Sequence, residues 1–427
     1  MKRIALTCLL LAACISCVSA QTTLTLEQCL ALARQHNLQM RVSENASHAA
    51  LLSRDELKTT SLPQFQFEAS ALYAPSSGHF GYDPLVTNGG QYAGQIVGKQ
   101  PLYDGGIRNL RANQIDVDID LRNKESRAAE RDLIYAVRQA FYEALRADRE
   151  GRLESESVHQ LGDYLERVRQ LSSAGNASTT DILKTEIQLS GAEISLRKSQ
   201  EEYAAAKYSL SELVGGVIDT SFSVTGSLED MSWSDSLTAG SPDSVESVEL
   251  TMAALSIQRN QLDIDLTRHE LSPTVSLVGD AGLLTSGDNL RLPYDQRAGI
   301  VGYSVGLVVE IPFFNWGATD LRVQQRESAV RILELQSGLL RRSITTESKK
   351  IRLSLIESRK RLDLVRQNIK AAEENFFLTK SKYLAGGTLS LEVLSAQQLL
   401  TDSKLMELQT EADIQNLSAK LEQILTR

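Results

Sequence analysis

The sequence predicts an α+β membrane protein that is mostly helical, with a few long strands that cross a bilayer and close only between copies of the chain. Three observations carry this. The 427 residues hold only eight prolines and 5% aromatics, which suits long uninterrupted helices better than an all-β sandwich. Short blocks recur at a constant offset of 211 residues, the mark of a tandem duplication. Four segments of about eleven residues alternate apolar and polar side chains, the length of a tilted strand across a bilayer.

The chain opens on a targeting segment, read as residues 1–20. Lys2 and Arg3 precede an apolar run from Ile4 to Ala13, and Val18-Ser19-Ala20 has the small residues of a signal-peptide cleavage site. Leu11-Ala12-Ala13-Cys14 also has the form of a lipoprotein box, so cleavage after Ala20 and lipidation of Cys14 both stand. Cleavage after Ala20 leaves Cys29 as the one cysteine, with no disulfide available and a packed thiol as its expected state. No second apolar stretch of about 18 residues follows, so the chain enters an envelope or extracellular space without a helical anchor. A mean hydropathy of −0.19 excludes a bundle of membrane helices. A net charge of −9 argues against nucleic acid as a partner.

The duplication sets the order of elements. Pro101-Leu102-Tyr103-Asp104-Gly105-Gly106 matches Pro312-Phe313-Phe314-Asn315-Trp316-Gly317, and Gly175 with Asp181-Ile182-Leu183 matches Gly386 with Glu392-Val393-Leu394. The first repeat is expected over 21–215 with a hairpin near 62–103, and the second over 248–427 with a hairpin near 273–313. A Ser/Thr/Asp/Gly-rich segment at 216–247 joins them, either as a surface linker or as a patch wrapped on the helical body. Each repeat reads helix, two strands, a very long helix and a returning helix. The opening helix runs from Leu26 to about Lys58, ending before Pro63.

In the first hairpin Phe65, Phe67, Ala69, Ala71 and Tyr73 share one face, opposite Gln64, Gln66, Glu68 and Ser70. Tyr92, Gly94, Ile96 and Gly98 then alternate with Gln91, Gln95 and Lys99. The second hairpin repeats this with Val275, Leu277, Gly279, Ala281 and Leu283, then Val301 to Ile311 at alternate positions. A loop at 75–90 joins the first pair. The long helices follow, near 106–172 and 317–384, without a proline and each reaching roughly 100 Å at ~1.5 Å per residue. Ile351, Leu355, Ser358, Leu362, Val365, Ile369, Ala372 and Phe376 keep the 4,3 spacing of a coiled-coil seam. Gly175 and Gly386 mark the turns at which the shorter helices return, and Pro101, Gly106, Pro312 and Gly317 redirect strand into helix.

Four strands do not close a barrel; the smallest membrane barrels have about eight. Open edges in hydrocarbon leave backbone groups unpaired at several kcal/mol each, so the chain must oligomerise. Two copies would give a filled barrel, whereas three leave a pore that the helices can extend across a bacterial periplasm.

Leu24-Thr25-Leu26-Glu27-Gln28-Cys29-Leu30-Ala31-Leu32-Ala33, Gln100-Pro101-Leu102-Tyr103-Asp104-Gly105-Gly106, and Tyr383-Leu384-Ala385-Gly386 with Leu391-Glu392-Val393-Leu394-Ser395-Ala396-Gln397 carry a further reading. With them, essentially the whole mature sequence resembles the TolC-like outer-membrane efflux protein family. The resemblance implies a homotrimer with a twelve-stranded barrel, four strands per protomer, in the outer membrane of a Gram-negative bacterium, continued by a coiled-coil tunnel in the periplasm. It implies a periplasmic adaptor (membrane fusion) protein and an inner-membrane RND or ABC transporter as partners, alongside outer-membrane lipid. It also implies a constriction at the helical turns, to which Asp181, Glu392 and Tyr383 correspond. The family archetype has a second acidic residue where Ser395 stands and an arginine where Thr388 stands; its Tyr–Asp tie maps to Tyr383 and Asp181. Independently of the family, Asp181 and Glu392 fall in first helical turns, where a carboxylate favours the helix dipole.

No catalytic constellation is present in the sequence. The five histidines are scattered without i, i+4 pairing, and there is no phosphate-binding lysine loop or G-x-S-x-G motif, so no metal, cofactor or enzymatic activity is expected. Interspersed charges along the long helices read as a solvated face. The resulting expectation is an exit duct for efflux or type I secretion. A periplasmic adaptor, which would need many more short strands, and an envelope coiled-coil scaffold, which would need none, are the alternatives.

Overall fold

The computed structural model describes residues 23–74, 89–175, 177–218, 221–229, 247–286 and 299–426. The leader with Cys14, the loop at 75–88 and the 230–246 stretch with Trp233 lie outside the described residues. The elements run β1 (Thr23–Leu24), α1 (Leu26–His36), α2 (Leu38–Thr59), β2 (Gln64–Ala74), β3 (Gly89–Tyr103), α3 (Ile107–Ser173), α4 (Thr179–Leu213) and β4 (Ser223–Val224). They continue with α5 (Val248–His269), β5 (Thr274–Ser286), β6 (Gly299–Glu310), α6 (Ala318–Leu384) and α7 (Ser390–Leu425). The duplication is visible in the lengths: α3 and α6 have 67 residues each, α2 and α5 have 22 each, and α4 and α7 have 35 and 36. No described helix is long and apolar enough to cross a membrane.

One element departs from expectation. The opening helix breaks at Asn37, although no proline intervenes. Asn37 is extended at ψ 128°, its side-chain oxygen accepts from the Gln39 and Met40 amides, and its Nδ2 donates to the Leu213 carbonyl at 3.0 Å. It thereby caps α2 and fastens the break to the end of α4.

The contacts divide the chain into two compact units, each assembled from both repeats. One comprises residues Met1–Val42, Arg127–Val248 and Arg341–Arg427, and the other Ser43–Ser126 and Glu249–Leu340. In the first unit, Cys29, Ala33, Val137, Phe141, Leu145 and Leu210 form the centre of a core. The start of the inter-repeat segment is part of it. β4 pairs in parallel with β1, and Phe222, Val224 and Leu228 are buried, so this stretch is packed rather than loose at the surface. Gln415 from α7 donates to the Leu228 carbonyl at 2.9 Å. The Cys29 thiol is fully buried, and burial pushes its pKa up to about 11, leaving it inert packing. The coiled-coil seam behaves as its spacing predicts: Ile351, Leu355, Ser358, Leu362, Val365 and Ala372 are all buried.

The second unit holds an antiparallel sheet in the order β2-β3-β5-β6, so the two hairpins meet along β3 and β5. The register puts the apolar positions of all four strands on one face. Phe67 lies opposite Ile96, Ile96 opposite Ala281, and Ala281 opposite Tyr303. That face is bare: Phe65 and Phe67 are 74% and 72% exposed, Tyr303 and Val305 86% and 72%. The other face carries Gln66, Glu68, Gln95, Asp280 and Ser304, joined by Gln95 to Glu68 and by Ser304 to Asp280. Pro101 sits at a register shift near the end of β3, where its missing amide costs no ladder bond.

The second strand of each hairpin, β3 and β6, hands over to a long helix through two left-handed residues. Gly105 and Gly106 have φ of 69° and 87°, Trp316 and Gly317 58° and 76°. Asp104 caps α3 by accepting from the Gly106 and Arg108 amides, and Asn315 at the matching place bonds Thr319. Pro312 lies in the extended stretch between β6 and this turn. The first junction is also crowded, since a Cβ at Gly105 would lie 2.3 Å from Ser272 Cβ, whereas Gly317 has open space. Gly105→Ala is therefore expected to destabilise the protein by at least about 2 kcal/mol and Gly317→Ala by about 1 kcal/mol, read as a difference in thermal melting.

Candidate functional site

The gating residues singled out in the sequence, Asp181, Glu392 and Tyr383, lie with Gly175 and Gly386 at the two turns that end the long helices, within the first unit. Gly175 and Gly386 adopt φ of 81° and 76°, the left-handed geometry that lets α3 and α6 stop. The Gly386 amide bonds the Tyr383 carbonyl and the Gly387 amide the Lys382 carbonyl, so orphan carbonyls of the last turn are satisfied.

Asp181 is half-buried and belongs to a capping box. Ser178 Oγ accepts from the Asp181 amide at 3.2 Å, and the Asp181 carboxylate accepts from the Ser178 amide at 3.1 Å and its hydroxyl at 2.8 Å. The S-x-x-D spacing at 178–181 is the sequence signal for this arrangement. The turn of the second repeat is built differently. Leu389 stands at the N-cap and offers no side-chain bond, and the exposed Glu392 carboxylate accepts instead from the Thr388 hydroxyl. Thr388 thus takes hold of Glu392 without supplying a positive charge.

Tyr383 meets a residue that sequence reasoning missed. Its ring lies 5.6 Å from that of Tyr164, tilted at 54°, and the Tyr164 hydroxyl bonds Ser390 Oγ at 3.0 Å. Tyr164 comes from α3 and Ser390 opens α7, so this bond joins the two repeats two residues before Glu392. Tyr164, Leu161, Val168, Val393 and Leu394 form a small core, against which Tyr383, Phe376 and Ile182 pack. Burial holds the Tyr164 phenol above its usual pKa, the Ser390 bond opposes this, and Tyr383 and Asp181 add to it. The phenol is therefore a neutral donor. No local pattern marks Tyr164, because its partner lies 226 residues away.

A further correction concerns the long helices, whose charges read as a solvated face. Several are enclosed. Arg146 on α3 is paired with Glu143, with Glu150 at 2.5 Å and with Glu202 of α4 at 3.5 Å. Glu154 is 8% exposed and lines a groove of ≈ 490 Å³ with Glu150, Lys198, Glu202 and Asp402. Its pKa is raised, first by burial and then by the Asp402 and Glu150 charges.

Two predictions follow from this geometry. Tyr164→Phe and Ser390→Ala should each destabilise the protein by about 1 kcal/mol and be non-additive in a double-mutant cycle of melting temperatures. The Glu154 proton is held more tightly folded than unfolded, so the stability it confers is complete below the ordinary carboxylate range and lost as pH rises through the folded value. Glu154→Gln should therefore melt higher than wild type at about pH 7.5, with the gain vanishing near about pH 4.

Comparisons with known proteins agree with this architecture. The alignment with the proteases secretion protein PrtF of Dickeya chrysanthemi is 24% identical over 347 residues, covering 72% of this chain and 66% of that one. With the pyoverdine export outer membrane protein OpmQ of Pseudomonas aeruginosa it is 21% identical over 309 residues, covering 71% and 61%. The chain thus spans less than two thirds of the length of these relatives. The outer-membrane channel OprN has the same fold, with a TM-score of 0.76 at 17% identity over 94% of this chain and 89% of the other. The outer membrane efflux protein model matches residues 29–216 and 245–427, both repeats with the inter-repeat segment left out, and the chain belongs to that family.

Proposed function

We propose that this protein is the outer-membrane exit duct of an efflux or type I secretion system, working as a homotrimer. The observation that carries the reading is the sheet. One face is exposed and apolar, the other carries Gln66, Glu68, Gln95, Asp280 and Ser304, and among the described residues β2 and β6 each have a strand neighbour on one side only. Pairing β6 of one copy with β2 of the next removes both edges, turns the apolar face to lipid and encloses the polar one. Three copies supply twelve strands, enough for an open lumen. Membership of the outer membrane efflux protein family supports the same assembly and is at odds with an adaptor or scaffold.

The chain's own residues then act as a passage and a gate. The 67-residue helices, roughly 100 Å each at ~1.5 Å per residue, have the reach of a periplasmic tunnel. Threefold symmetry would bring three copies each of Asp181 and Glu392 around the axis, a ring of carboxylates at the helical turns. Opening requires those turns to separate. Tyr164, bonded to Ser390 and in tilted ring contact with Tyr383, holds α3, α6 and α7 together there and opposes separation. Asp181 is committed to its capping box, so it orders the turn as well as charging it. The driving force comes from an inner-membrane RND or ABC transporter reached through a periplasmic adaptor; the sequence itself carries no phosphate-binding lysine loop.

Fractionation and planar-bilayer recording test this together. The chain is expected in the outer membrane as a heat-modifiable trimer that needs detergent for extraction, conducting in small steps. Glu392→Gln should weaken cation preference, and Tyr164→Phe should lengthen open times. A salt-extractable periplasmic monomer would refute the duct.

A further inference from the structure

We propose that the apolar face of the sheet contains a slot for one acyl chain of a phospholipid in the inner leaflet of the outer membrane. This rests on the reading that the face is turned to lipid. The register sets small residues in the two middle strands against large ones at the sides. The row Phe65, Gly98, Gly279 and Val305 shows this arrangement. A trough of ≈ 430 Å³ results, bordered by Phe65, Ile96, Leu277, Tyr303 and Val305 with Gly98 in its floor. That volume falls among clefts that hold small ligands, about 300–1,000 Å³.

The walls are set by the glycines. The Phe65 ring leans over Gly98, where a Cβ would stand 2.9 Å from it, and the Phe67 ring lies across Gly94 at 3.7 Å from such an atom. Gly98 and Gly279 face each other directly, so in this row the two middle strands present no side chain. Glycine weakens a strand interior, and its placement marks a bend or a close approach by another group.

In hydrocarbon no water is expelled, and association depends on packing. A trough left empty deprives both walls of dispersion partners, and a lipid tail is the group available to supply them. Depth selects the leaflet. Phe65 is the second residue of β2, and Gly98 and Leu277 lie near the ends of β3 and β5 that join α3 and α5. These are the helix-proximal ends, which the duct reading turns toward the periplasm. Exposed Tyr103, Phe314 and Trp316 lie just beyond, at the level where aromatic rings meet headgroups.

The test reconstitutes the full-length oligomer in phosphatidylethanolamine vesicles with a trace of nitroxide-labelled phosphatidylethanolamine, and measures motionally restricted lipid by electron paramagnetic resonance. Ala281→Leu, in the trough lining, should at least halve the restricted component, while Ala71→Leu, on the same face outside the trough, leaves it unchanged. Equal effects of the two variants, or none from either, would overturn the slot. A second measurement needs no variant: phosphatidylethanolamine with a diazirine in its tail should label Ile96 and Leu277 several-fold more than Tyr73 and Val301, which share the apolar face but not the trough. Uniform labelling along the strands would overturn the slot while leaving the duct intact. Failure of the wild-type chain to form a membrane oligomer at all would overturn the duct instead.

Discussion

The structure depends on one constraint: a four-stranded sheet with a bare apolar face has two edges that, among the described residues, no other strand covers. In water such a face would be an aggregation hazard, and in lipid the edges would each leave a row of backbone groups unbonded. Both difficulties vanish together if the edges pair between copies inside a bilayer. The duplication serves the same end, since it doubles the strands each copy brings without enlarging the hairpin. Aligning β3 with β5 then carries the parity of one hairpin into the next, so that Phe67, Ile96, Ala281 and Tyr303 fall in a single row.

The two helical turns show how a duplicated element diverges once copied. Both stop at a left-handed glycine, yet Asp181 is fixed by a capping box and Glu392 by Thr388 alone. The first carboxylate has its hydrogen bonds supplied by Ser178, whereas the second is exposed and held by one hydroxyl. Tyr164 restores connection between the unequal turns, because its bond to Ser390 and its contact with Tyr383 reach the second repeat from the first. A neutral, buried phenol does this without depending on salt concentration, unlike an exposed ion pair.

Much of this was legible in the sequence because it is periodic. The parity of the strands, the seam from Ile351 to Ala372 and the left-handed glycines each follow from local spacing, and the recurrence at 211 residues made each reading twice testable. What escaped was long-range. Asn37 breaks the opening helix because Leu213 is there to accept its amide, and nothing near Asn37 announces that partner. Glu154 and Arg146 looked like surface charges because a helix shows which residues share a side, not which side another helix covers. Trp316 is a different case. Its match is Gly105, and an indole at φ 58° breaks the usual preference of that backbone region; the exposed ring packs edge-on against Phe314.

The pairing of β3 with β5 has a consequence for how the protein is made. These strands belong to different repeats, and between them lie α3, α4 and α5. The first hairpin therefore reaches the far side of the inner membrane long before the strand that flanks it exists. Throughout that interval it waits with both borders unsatisfied, in a compartment filled with other export intermediates. Completing the sheet is therefore a long-range event that waits on the second repeat, rather than the local zipping of a single hairpin.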